Sequence, residues 1–198
     1  MISFVRHGET AHNRDGLLQG RVDLELSARG QEQASRVASR FGGAPVARVF
    51  TSPLRRARQT AAMIAGVCGA EVEVDERLIE LDYGDWDGKP LAEMRGPRGE
   101  LWFADPNFAP PGGESLVAVT ARVEAFCAER IAAAGDGRVV AVSHVSPIKA
   151  AVAWALGVDE RATLRMQLGL ASITTIGARG NGSGYLLSFN DSAHLEAP

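Results

Sequence analysis

Two hydrophobic patterns alternate along the chain. Short unbroken apolar runs at Ile2–Val5, Val46–Phe50 and Val139–Val142 predict buried strands. Between them the apolar positions take a helical spacing. Ser27 is placed to cap a helix that runs through Gln33, Ala34, Val37, Ala38 and Phe41 and is stopped by Gly42-Gly43. A second helix is expected from about Pro53 to Ala65, with Pro53 in its first turn. Ser115 is placed to cap a long one through Val119, Val123, Phe126 and Ile131, and a fourth covers 146–156. Glu71–Val74 alternates like a half-exposed strand, and two late strands, Ala171–Ile176 and Tyr185–Phe189, flank the turn Gly180-Asn181-Gly182-Ser183-Gly184.

Strands alternating with helices predict an α/β fold, a three-layer α/β/α sandwich around a mostly parallel central sheet. Residues 82–113 break the pattern. They are rich in glycine, proline and aromatics (Tyr83, Trp86, Trp102, Phe103, Phe108, with Met94), and predict a loop-rich excursion with one short helix, capping a single domain over 1–198. No internal repeat and no linker is visible. In such sheets the chemistry gathers beyond the carboxyl ends of the strands. That rule singles out Arg6-His7, Thr51-Ser52 and Ser143-His144.

A histidine at a strand end, between an arginine and a permissive glycine, suits a nucleophile beside an anion site. Imidazole is substantially neutral near pH 7 and can attack phosphorus unaided. Gly8 is expected to let the backbone turn sharply there. In Ser52-Pro53-Leu54-Arg55-Arg56-Ala57-Arg58, a helix N-terminus and planar guanidinium groups both favour phosphate, although 55, 56 and 58 cannot all face one way. His144, if protonated, would neutralise the phosphoryl oxygens. Glu80 is a candidate acid for the leaving oxygen, with Asp82, Asp85 and Asp87 competing on composition. His12 reads as exposed and His194 as part of a tail.

Composition narrows the options. At 198 residues, 45% hydrophobic and 23% charged, the chain can bury a real core. A net charge of −3 argues against nucleic acid as a partner. Cys68 and Cys127 fall in apolar helical patterns and read as reduced core thiols. No basic segment followed by a long apolar run opens the chain, so neither leader nor membrane partner is expected, and the cytoplasm is the expected compartment. No HExxH, paired Cys/His or EF-hand spacing suggests a metal, and no Walker or GxGxxG motif suggests a nucleotide. No cofactor is therefore expected.

Val5-Arg6-His7-Gly8-Glu9-Thr10 with Asn13 resembles the signature of the histidine phosphatase superfamily, also called phosphoglycerate mutase-like. The resemblance continues through Leu18-Gln19-Gly20, Thr51-Ser52-Pro53-Leu54-Arg55-Arg56-Ala57, Glu80, Tyr83-Gly84-Asp85-Trp86-Asp87-Gly88, Pro111-Gly112-Gly113-Glu114-Ser115 and Val142-Ser143-His144, in order, over residues 2 to about 150. It implies His7 as the phosphorylated nucleophile, Glu80 as proton donor, and Arg6, Arg56 and His144 as holders of the phosphoryl oxygens. Asn13, Gln19 and Gly20 would assist, with Arg55 as second choice to Arg56. Where the family usually has glycine after the second histidine, this chain has Val145, whose N–H is expected to reach phosphate instead. The Ser-His-Val-Ser-Pro-Ile-Lys stretch is similar to actinobacterial members of the phosphatase branch, including α-ribazole phosphatase.

The resemblance leaves three readings. The first is a metal-independent phosphatase acting on a small-molecule phosphate ester, such as α-ribazole 5′-phosphate, a phosphosugar or a phosphorylated amino acid. The second is a phosphoglycerate mutase, disfavoured because the Gly88–Gly112 span is short, with basic residues only at Lys89, Arg95 and Arg98. The third, a non-catalytic phosphate-binding module, would have lost the nucleophile or the acid. The cap aromatics would either stack on a ring-bearing leaving group or pack the cap onto the sheet. A homodimer is left open.

Overall fold

The computed structural model describes residues 1–95, 97–133 and 137–196, and the side chains of Met94, Arg95, Pro97 and Arg98 lie outside that description. Six strands, β1 Ile2–Arg6, β2 Val46–Thr51, β3 Val72–Val74, β4 Arg138–Ser143, β5 Ile173–Ala178 and β6 Gly184–Asp191, form one sheet in the order β3-β2-β4-β1-β5-β6. β3, β2, β4 and β1 run parallel, while β5 is antiparallel to both β1 and β6. The expected fold class is the observed one.

Strand alternation divides the core in two. Ile2, Phe4, Phe50, Val139 and Ala141 point to one face, where they meet Val119, Val123 and Phe126 of α5 (Leu116–Ala133) and Ile148 and Ala151 of α6 (Val145–Leu156). Val5, Val49, Val140 and Val142 point to the other, against Val37 and Ala38 of α2 (Ala28–Ser39) and Ala57, Ala61 and Ile64 of α3 (Arg55–Cys68). The central strands are apolar on both faces because helices cover both. Cys127 is buried and Cys68 half-buried, both as free thiols.

Ser27 caps α2, accepting from the Gly30 N–H at 3.0 Å, and Ser115 does the same for α5 through Ala118 N–H at 3.2 Å. Pro53 departs from expectation. It lies ahead of α3, whose N-cap is Leu54, an apolar side chain with no acceptor to cap the helix. The 82–113 excursion is a chain of short 3-10 turns and one helix, α4 (Pro97–Ala104), so the single expected helix is present. The remaining short helix, α1 (Ala11–Arg14), follows the first strand end. No helix among the described residues is long and apolar enough to cross a membrane.

Candidate functional site

β4 lies between β2 and β1, so the segments leaving these strands end side by side. The ladder continues one step beyond them, with His7 N–H donating to Ser143 O at 3.1 Å and Ser52 N–H to Val142 O at 3.0 Å. His7, Ser52 and His144 are thereby brought to one edge, all buried, with the two imidazole centroids 5.0 Å apart.

His7 Nδ1 lies 2.7 Å from the Gly8 carbonyl, which can only accept, so Nδ1 carries the proton and Nε2 the lone pair. Arg56 faces that nitrogen. Its Nε lies 3.3 Å from both His7 Nε2 and His144 Nδ1, and its two terminal nitrogens donate to Val22 O at 2.8 Å and Gly20 O at 2.7 Å. The guanidinium is fully buried, at 0% exposure, and forms no salt bridge to a carboxylate among the described residues. His144 completes its bonding through Nε2 to Ser52 Oγ at 2.7 Å. With Nδ1 accepting, Nε2 donates, and the ring is neutral.

Electrostatics agree with the geometry. Burial first, and then the Arg56 charge, hold both imidazoles well below the usual histidine range, with Arg6 adding to each. The expectation of a protonated His144 is thus corrected: next to two guanidinium groups, this buried imidazole stays neutral. Burial also lowers Arg6 and Arg56 to about 10 each, with Glu80 opposing the shift.

Arg6 is anchored by one terminal nitrogen, donating to Leu168 O at 2.6 Å, while its buried Nε has no partner. Gln19 is similar. Thr10 Oγ donates to Gln19 Oε1 at 2.7 Å, leaving the buried Nε2 donor unpartnered. Unsatisfied buried donors in a folded protein call for an acceptor. Asn13 Oδ1 accepts from the Thr10 N–H at 3.1 Å and the Asn13 N–H donates to Thr10 Oγ at 3.3 Å, a capping box that holds Thr10 against Gln19.

Glu80 follows a short 3-10 turn (Glu76–Leu78), and its carboxyl is buried. It accepts from Leu81 N–H at 2.8 Å and, across the sheet edge, from Val145 N–H at 3.0 Å and Ser146 N–H at 3.1 Å. An acidic group at the start of α6 is well placed against the helix dipole. This corrects the role assigned to Val145. Its N–H holds Glu80, so it positions the acid and is not offered to phosphate.

The competing acids are elsewhere. Asp87 accepts from the Gly20, Arg21 and Val22 N–H groups at 2.8–2.9 Å, fixing the loop whose carbonyls hold Arg56. Asp82 accepts from Gly84 N–H, and Asp85 is exposed.

Arg55 is not brought to the cluster. Its side chain is 66% exposed and lies 3.7 Å from Asp23, because one residue along a helix turns a side chain by about 100°. Gly8 serves a different purpose from the expected sharp turn: a Cβ there would run into the Gly30 carbonyl, so close packing of α2 demands it. Gly20 is similar, since a Cβ would meet Leu81 O at 2.7 Å.

Of the cap aromatics, Trp86 and Trp102 are buried and pack on each other, on Tyr83 and on Phe108, while Phe103 is exposed. Packing of the cap accounts for four of them.

Some supports carried no sequence signal. Ala171, in a left-handed conformation (φ 51°), donates its N–H to His7 O at 3.1 Å and accepts at its own carbonyl from His194 Nε2 at 2.9 Å. His194 is therefore half-buried behind His7, not in a free tail, and His12 is half-buried where exposure was expected. A non-glycine residue held at such a φ costs of order 1–3 kcal/mol and is usually kept by its surroundings.

The profile of the histidine phosphatase superfamily (branch 1) matches residues 2–192. The chain belongs to that superfamily. Among curated relatives, the probable phosphoglycerate mutase GpmB of Salmonella choleraesuis is 32% identical over 205 residues, which span all of this chain and 95% of that one. Three solved structures are similar over nearly the whole chain. Mycobacterial glucosyl-3-phosphoglycerate phosphatase in complex with VO3 is 33% identical with a TM-score of 0.88, covering 96% of this chain and 99% of that one. Phosphoserine phosphatase from Entamoeba histolytica in complex with 3-phosphoglyceric acid is 30% identical with a TM-score of 0.90, covering 98% of each chain. A putative α-ribazole-5′-P phosphatase from Escherichia coli K-12 is 27% identical with a TM-score of 0.85, covering 96% and 95%.

Proposed function

We propose that this chain is a metal-independent phosphatase that transfers the phosphoryl group of a small-molecule monoester to His7 and then to water. The observation that carries this reading is the lone pair of His7 Nε2, held by a 3.3 Å hydrogen bond from the Nε–H of a fully buried Arg56, together with buried Arg6 and Gln19 donors that lack an acceptor. Phosphate oxygens would satisfy those donors, and phosphoryl transfer needs mainly such positioning and charge.

In the first half-reaction, Nε2 forms the N–P bond as the P–O ester bond breaks. The leaving oxygen takes a proton from Glu80. In the second, Glu80 takes a proton from water, the water oxygen bonds to phosphorus, and the P–N bond breaks to release inorganic phosphate. Arg6 and Arg56 hold the oxygens in both, and His144 is kept in its tautomer by Ser52.

The structural neighbours are named as phosphatases, whereas the curated relatives are named as probable mutases, which keeps the mutase as the second reading. The purified protein would be assayed with an aryl phosphate in EDTA beside His7→Ala. The expected outcome is turnover that survives chelation and falls at least about 10⁴-fold in the variant. Turnover that needs added metal, or persists without His7, would overturn the mechanism. Interconversion of phosphoglycerates primed by a bisphosphate would replace the phosphatase by the mutase.

A further inference from the structure

We infer that His194, together with Asn190, is a positioning residue that aims the His7 imidazole through the backbone of the turn at Ala171. This assignment rests on the phosphatase reading above, in which His7 is the nucleophile.

The segment Leu168–Ser172 turns at Leu170-Ala171 just ahead of β5, and three of its backbone groups bond to Arg6 or His7. Leu168 O accepts from the Arg6 guanidinium at 2.6 Å, Ser172 O accepts from Arg6 N–H at 3.1 Å, and Ala171 N–H donates to His7 O at 3.1 Å. On the far side of that last peptide unit, Gly8 N–H donates to Thr60 Oγ at 3.3 Å. The planar unit between His7 and Gly8 is thus held at both its oxygen and its nitrogen. The next carbonyl, Gly8 O, accepts from His7 Nδ1 at 2.7 Å, so the tilt of this plane sets where Nε2 points.

The turn itself is strained. Ala171 sits at φ 51°, a conformation that a residue with a Cβ keeps only where its surroundings hold it. The hold comes from the segment after β6. His194 Nε2 donates to Ala171 O at 2.9 Å, so Ala171 is bonded at both its amide and its carbonyl. Asn190 accepts at Oδ1 from Gly169 N–H at 2.7 Å, and Ser172 Oγ closes the turn onto Gly169 O at 2.7 Å.

His194 is anchored in turn. Ala193 N–H donates to Asp191 Oδ1 at 3.1 Å, Arg36 of α2 donates to Leu195 O at 3.3 Å, and Leu195 packs on the apolar cluster under α2 and α3. The other ring nitrogen, Nδ1, is buried without a hydrogen-bond partner among the described residues. An apolar side chain would fill this place without that cost, so the bond to Ala171 is what the imidazole contributes. Without it, the 171–172 peptide is free to rotate out of its strained conformation, and Ala171 N–H then releases His7 O.

The test uses the full chain, an aryl phosphate as substrate, and orthovanadate and inorganic phosphate as inhibitors. Vanadate bonded to Nε2 takes the five-coordinate shape of the transfer and reads the aim of His7, whereas phosphate reads only the anion site. In His194→Leu, kcat should fall about 10- to 100-fold with KM nearly unchanged, and the vanadate inhibition constant should rise by a similar factor while that of phosphate holds. His194→Gln, whose amide can replace the donor, should stay close to wild type. Unchanged kcat, an equal fall in His194→Gln, or a loss of active fraction with both inhibition constants in place would overturn the inference and leave the phosphatase intact. If His194→Leu does not fold, Asn190→Gly serves: it tolerates the φ of 57° at this position and loses only the acceptor for Gly169 N–H. A rise of roughly 3- to 10-fold in its vanadate constant is expected, and an unchanged constant would overturn the inference. A wild type inert toward the aryl ester would instead sink the phosphatase reading itself.

Discussion

Around His7 the side chains are fixed by polar bonds to backbone: Arg56 to the Gly20 and Val22 carbonyls, Arg6 to Leu168, Glu80 to three amides. Over residues 82–113 the framework is different. Trp86 and Trp102 pack with Tyr83 and Phe108, and short turns close on themselves, as where Gly113 N–H donates to Pro110 O at 2.7 Å. Directional bonds fix the position of each donor and acceptor in one region, and non-directional apolar contact holds the other. Transition-state charge needs the first kind of precision. A leaving group of variable shape tolerates the second.

The comparison can be tested by breaking each region separately. Arg56→Lys keeps the charge but loses the fork onto two carbonyls and the shared Nε–H. Steady-state kinetics on an aryl phosphate should show kcat falling roughly 10²–10³-fold. Trp102→Ala removes a buried ring from the cap and should lower stability by about 3 kcal/mol in urea unfolding. Its effect on kcat with the same small ester should stay within about tenfold, with KM for larger esters changing more. If Trp102→Ala cost as much in kcat as Arg56→Lys, the two regions would not be separable.

The smallest expected effect is electrostatic. His7 and His144 are held below the usual histidine range, by burial and then by Arg56. An unfolded chain protonates histidine near pH 6.5, so below that value it binds more protons than the fold does. The stability from keeping these rings neutral is present above about pH 6.5 and lost as pH falls toward their depressed folded values. Each ring should contribute a loss of up to about 1.4 kcal/mol per pH unit. Urea titrations at pH 7 and 5.5 in phosphate-free buffer would measure it, and His144→Gln should remove about half of the slope.

Much of this was legible in the chain because it is local. Apolar runs ending in Arg6-His7, Thr51-Ser52 and Ser143-His144 announce strand ends, and adjacent parallel strands bring such ends together. What was not legible depends on backbone groups far away in sequence. Leu168 O reaches Arg6 across 162 positions, and Ala171 supports His7 through a carbonyl and an amide that every residue possesses. Val145 was read as a phosphate donor because it stands where the resembled family usually has glycine, and the sequence does not say that Glu80 takes its N–H. Arg55 and Arg56 are chemically identical, and only the phase of α3 sends one inward.

The single Nε–H of Arg56, placed between two imidazole lone pairs, carries one more consequence. A phosphorylated His7 has no lone pair left on Nε2, so that hydrogen bond ends when the N–P bond forms. The proton must then rely on His144 or turn to a phosphoryl oxygen. Its resonance would thus report, turnover by turnover, whether the enzyme is loaded or free.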